Sequence, residues 1–152
     1  MHAMIRGMTS PGDEIADSLG LLLRRATRER LYGRLTEGLD DSLDEATYPV
    51  ISGLARLGPR SAAQLAEDIG IDRSVVSRHA ARLARAGLVK RLPDPSDGRV
   101  VLLALTVPGD SAVREMRRRL ADTLDDYLAA WPPGEAQRFA VSLRRFAEHG
   151  PW

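Results

Sequence analysis

"SAAQLAEDIGIDRSVVSRHAARLARAG", Ser61 to Gly87, reads as two helices joined by a tight turn. The Ser61 hydroxyl can accept from an otherwise orphaned N–H of the next turn, so Ser61 is an N-cap, and a short helix from Ala62 to Asp68 closes at Gly70. Asp72 caps a second helix, which runs to Ala86 before Gly87. Two helices joined through so short a turn, Gly70-Ile71-Asp72, form a helix-turn-helix unit. On a wheel at ~100° per residue, Val76, Ala80 and Leu83 share one face, which predicts packing on the helices before it. Ser74, Ser77, Arg78, Ala81 and Arg85 share the opposite face, with Arg73 and Arg82 flanking it.

That outer face holds small residues, hydroxyls and guanidinium groups, and no acid. A helix entering a major groove roughly 12 Å wide needs this composition. Arginine can bridge O6 and N7 of guanine, serine can reach bases or phosphates, and alanine permits close approach. Surface arginines usually form no more than a solvated face, so one helix does not decide the matter; its neighbours do. Val89–Leu92 and Val100–Leu105 read as strands around the turn formers Pro93-Asp94-Pro95-Ser96-Asp97-Gly98, with Arg99 directly after them. A hairpin behind a helix-turn-helix is a wing. Its tip lies over the neighbouring minor groove, where the concentrated negative potential attracts an arginine such as Arg99. Asp97, besides forming the turn, is placed to orient that guanidinium by a charge-assisted bond. The predicted DNA-binding set is thus Ser61, Arg73, Ser74, Ser77, Arg78, Arg82, Arg85, Asp97 and Arg99.

The flanks are helical. Ile15, Leu19, Leu22, Leu23, Leu31 and Leu35 recur at helical spacing from Asp13 to about Leu39, and a further helix is expected over Asp44–Leu57, with a kink or a late start at Pro49. After the hairpin, Pro108–Ala130 and Glu135–Glu148 read as amphipathic helices on either side of Trp131-Pro132-Pro133-Gly134. The fold class is mainly α with a small β-hairpin (α+β): a winged helix-turn-helix lobe at about 44–106, helical dimerisation segments at about 13–39 and 108–148, and a disordered N-terminus over 1–12. Ile15, Leu19, Leu22, Val113, Leu120, Leu124, Phe139 and Phe146 exceed the apolar surface that one thin lobe can cover, which points to a homodimer.

Composition narrows the function further. A net charge of +1 means that any nucleic-acid contact depends on where the charge is placed, and Lys90 is the sole lysine. The absence of cysteine removes disulfides, thiolate metal sites and thiol redox sensing. No apolar run reaches membrane-spanning length, and Met1–Ser10 lacks the core of a signal peptide, so a cytoplasmic location without membrane contact is expected. No histidine has partners at metal-ligand spacing, and neither a nucleophile motif nor a phosphate loop is present, so neither an enzyme nor a cofactor is expected. His79, beside Val76 and Leu83, reads as a packed, hydrogen-bonded core histidine, with a pH-sensing or effector role as the alternative.

At "RSAAQLAEDIGIDRSVVSRHAARLARAGLVKR" and "DPSDGRVVLLALT" the chain resembles the MarR family of winged helix-turn-helix transcriptional regulators. The flanking helices match in order from about Asp13 onward. The resemblance implies a homodimer on a near-palindromic double-stranded operator, and a pocket where a small aromatic or other apolar acid binds and releases the DNA, so that the protein acts as a repressor. Tyr32, Tyr48 and Met116 are candidates to line that pocket, although residues of these types also serve as plain core. Gly98 stands where many members carry a second basic residue, which leaves the wing contact to Arg99. His79 stands where an aliphatic residue is usual, and the missing cysteine sets the chain apart from the peroxide-sensing branch. The competing reading is a winged-helix protein-interaction module without DNA binding, which calls for an acidic or apolar outer helix face.

Overall fold

The structure is a computed structural model and describes residues 9–152. The chain forms two compact units, one ending at Val113 and one running Arg114–Trp152. The first contains α1 (Pro11–Leu22), α2 (Arg25–Thr36), α3 (Tyr48–Leu57), β1 (Arg60–Ser61), α4 (Ala62–Ile69), α5 (Arg73–Arg85), β2 (Val89–Pro93), β3 (Val101–Leu105) and the first turns of α6 (Val107–Leu128). The second contains the rest of α6 and α7 (Glu135–His149).

Two boundaries depart from the sequence reading, and a third takes the late start expected at Pro49. The first helix starts at Pro11, inside the stretch expected to be disordered, because Ser10 and Asp13 form a reciprocal capping box: Asp13 N–H donates to Ser10 Oγ at 3.1 Å and Ser10 N–H to Asp13 Oδ2 at 2.9 Å. Residues 1–8 of that expectation lie outside the described residues. The long helix foreseen from Asp13 to Leu39 is two helices. Arg24 is extended at ψ 139°, and Thr27 Oγ1 donates to the Leu21 carbonyl at 2.9 Å, one of the carbonyls left over at the end of α1. α3 starts late, at Tyr48, so that Pro49 falls in the first turn, where a missing N–H costs nothing.

The core of the first unit gathers residues from α2, α3, α4, α5, β2 and β3. Leu35, Val50, Ile51, Leu54, Leu65, Val76, Leu83, Val89 and Leu103 are buried, and α3, α4 and α5 pack on one another while β2 lies against α5. Val76, Ala80 and Leu83 are the inner face of α5, as the wheel predicts. Gly70, with φ 68°, takes the left-handed conformation that turns α4 toward α5. The hairpin is part of a three-stranded antiparallel sheet in the order β1-β3-β2, with Val89 opposite Leu105 and Pro93 opposite Val101. β1, pairing Arg60 with Leu103 and Ser61 with Leu102, is too short to leave a periodic signal in the sequence. In the second unit, Trp131 and Phe139 approach to 5.3 Å between ring centroids, and Phe146 meets Trp152 edge-on at 5.0 Å.

Candidate nucleic-acid interface

α5 presents the expected outer face. Arg73, Ser77, Arg78 and Arg85 are exposed, and no acid occurs between Arg73 and Arg85. Asp72 starts the helix by accepting from Ser74 N–H at 2.8 Å and from the Ser74 hydroxyl. Ser74 is thereby a partner of the cap more than a reader of bases. Ser61 has a double duty: its Oγ accepts from Gln64 N–H at 3.2 Å, its own N–H donates to Gln64 Oε1 at 3.0 Å, and its backbone joins the sheet.

Two predicted contacts are reassigned by geometry. Arg82, about a third exposed beside the outer face, has partners within the chain. Its Nη2 donates to Asp44 Oδ2 at 2.6 Å and to the Asp41 carbonyl at 2.9 Å, which ties α5 to the segment before α3. Burial acts most strongly on Asp44 and pushes its carboxyl up, but the bonds from Arg82 and from Thr47 and Ala46 N–H prevail and leave it below the usual range. Asp97 does not clamp the Arg99 guanidinium. Its Oδ1 accepts from the Arg99 backbone N–H at 3.0 Å, while its carbonyl accepts from Val100 N–H at 2.9 Å. The carboxylate shapes the turn and leaves the Arg99 side chain to the surface.

Arg99 reaches a cleft of about 480 Å³ between α5 and the sheet, together with Arg73, Ser77, Ser61 and Arg91. Arg91 was not foreseen. Period-two alternation from the buried Val89 puts Arg91 on the same face of β2, and that signal was available in the sequence.

A second cleft, of about 450 Å³, opens among α2, the segment before α3, the α4–α5 turn and α5. Arg25, Arg28, Glu29 and Tyr32 line it from α2, Glu45 and Pro49 from the other side, and His79 from α5. Of the three residues expected at a ligand pocket, Tyr32 is there; Tyr48 instead stacks on Tyr32, with centroids 4.3 Å apart, and the buried Met116 lines neither cleft. His79 is half-buried at the cleft wall, not enclosed in the core, because Val76, Ala80 and Leu83 already fill the inner face of α5. Burial, aided by the Arg78 and Arg82 guanidinium groups and opposed by Asp44, holds it below the ordinary histidine range.

Residues 40–100, from the loop before α3 to the end of the wing turn, match the model of the MarR family. Over 90% of its length the chain is 30% identical to an uncharacterised HTH-type transcriptional regulator of Bacillus subtilis, YxaD, of which the match covers 92%. The chain belongs to the MarR family. Its fold is that of wild-type MarR from E. coli, with a TM-score of 0.70 at 20% identity, covering 86% of this chain and 95% of that one. The PcaV transcriptional regulator from Streptomyces coelicolor, solved in complex with its natural ligand, is 27% identical, with a TM-score of 0.56 and coverage of 97% and 99%. As a MarR-family protein the chain is a transcriptional regulator and not an enzyme. Among the described residues no helix is long and apolar enough to cross a membrane.

Proposed function

We propose that this MarR-family protein is a cytoplasmic homodimer that binds double-stranded DNA sequence-specifically and represses transcription until a small aromatic or apolar acid releases it. The observation that carries the reading is the outer face of α5, exposed and free of acids, beside a wing whose tip arginine is not held by Asp97. In this reading α5 lies in the major groove, Arg78 and Ser77 meet base edges, Arg85 meets the backbone, and Arg99 reaches the minor groove. An interaction module would call for an acidic or apolar face, and α5 offers neither.

The second cleft suits the effector. Arg28 can meet a carboxylate, and Tyr32 and His79 can flank an aromatic ring beside Pro49. PcaV, a relative with a ligand of its own, supports a ligand-responsive reading.

Selection of bound duplexes from a random pool tests the DNA reading. The expected product is a near-palindrome with half-sites about one helical turn apart, and failure to enrich any sequence counts against it. For the effector, substituted benzoates are expected to release the selected duplex, and Arg28→Ala to blunt the release.

A further inference from the structure

The cleft between α5 and the wing concentrates charge that base reading does not use. Arg73 from the first turn of α5, Arg91 from β2 and Arg99 from the turn all line it, with the Ser61 and Ser77 hydroxyls between them and no acid on its walls. None of the three guanidinium groups has an ion-pair partner among the described residues. Like charges around one small volume repel each other, and an anion among them reverses the sign. The planar fork of a guanidinium matches phosphate oxygens in particular.

The register explains why Arg91 is there. Cross-strand partners share a face, and Arg91 pairs with the buried Leu103 while Val89, two residues back, is itself in the core. β2 packs on α5 and Val89 is buried; at Arg91, nearer the tip, the side chain is exposed and lines the open cleft together with Arg73 and Ser77.

We infer that Arg73 and Arg91 together grip a single phosphate of the DNA backbone in each half-site, in the seam between α5 and the wing, with Arg99 at the rim and able to reach the minor groove. The inference rests on the DNA-binding reading and adds a backbone contact that Arg78 does not make. The test uses the full-length protein and the selected duplex, with an uncharged methylphosphonate placed at each backbone linkage in turn. At one linkage per half-site, the neutral group should weaken the wild type about tenfold or more, the scale of a charge-assisted bond. The same linkage should leave the Arg73→Ala/Arg91→Ala double variant unaffected, since its contact is already gone. The double variant should keep its base preference, and its salt slope should be shallower by about 0.9 per half-site. Both side chains are exposed, so circular dichroism should show an unchanged fold. The proposal is overturned if no linkage affects the wild type while sparing the double variant, or if Arg91→Ala binds like the wild type. A slope change of about twice that size would mean two separate phosphates and also overturn it. A wild type that selects no duplex at all is a different result and defeats the underlying DNA-binding reading instead.

Discussion

Arg78 is exposed on the acid-free face of α5, with neighbours small enough to allow close approach to bases. Arg78→Ala should cost about 1–3 kcal/mol on the selected duplex, the worth of a bidentate contact to guanine, and relax preference at one base pair per half-site. Titrations against the selected and single-mismatch duplexes measure both effects; equal losses on all of them would make Arg78 a backbone contact. His79 makes a prediction about pH. Its ring ionises less readily in the folded chain than the ordinary value of 6.5, so the unfolded chain takes up the proton first. The folded state therefore holds its full advantage above that value and loses it as pH falls below it. Urea midpoints should fall on acidification from pH 7 toward 5, and His79→Gln should flatten that part of the curve. A wild-type curve flat over this range would contradict the assignment.

Among elements, the contact between α5 and the segment before α3 carries the positioning. Asp44 accepts from Arg82 at 2.6 Å and from Ala46 and Thr47 N–H at 2.9 and 3.0 Å, so one carboxylate orders the entry to α3 and holds α5 in place. Both partners are about a third exposed, and solvent screens the pair, so the ion pair itself is a small term. Asp44→Asn keeps acceptors for the N–H groups and should cost about 0.5 kcal/mol, whereas Asp44→Ala loses the cap as well and should cost about 1–2 kcal/mol. Denaturant titration separates the two variants, and equal losses would mean that the ion pair, not the cap, dominates. Since the carboxyl ionises more readily in the folded chain, this contribution is present above the ordinary value of 3.8 and disappears as pH falls through the lowered one.

For the whole molecule, each unit leaves apolar side chains in water. Leu21, Leu22 and Leu23 are 53%, 61% and 64% exposed at the end of α1, and Tyr127, Val141 and Trp152 are 68%, 56% and 69% exposed in the second unit. Isolated apolar residues are ordinary on a surface, but a run such as Leu21-Leu22-Leu23 is the kind of surface that the proposed dimer would cover. Sedimentation at low micromolar concentration should give a dimer, and Leu22→Glu with Leu143→Glu should shift it toward monomer and weaken DNA binding. A folded wild-type monomer under those conditions would refute the dimer.

Local rules made much of the first unit legible in advance. Ser61, Asp72, Gly70 and Gly87 mark helix ends through interactions within one turn of the chain, the wheel of α5 separates buried from exposed residues, and the turn formers bound the wing; all of these are set by neighbours in sequence. Arg91 was legible in principle, by alternation from Val89. Other features depend on which segments meet in space. The Arg82–Asp44 bond joins residues 38 apart, β1 exists only because β3 lies beside it, and His79 lines a cleft because α2 and the segment before α3 form the other walls. The break between α1 and α2 falls between these cases, since the Thr27 bond to Leu21 is local but competes with a helical periodicity that runs through it. Sequence alone thus determined the helix-turn-helix, the wing strands and the chemistry of the outer face of α5. Tertiary structure decided which arginines remain available to a ligand, because a guanidinium's partner is whichever carboxylate or carbonyl the packed chain brings within reach.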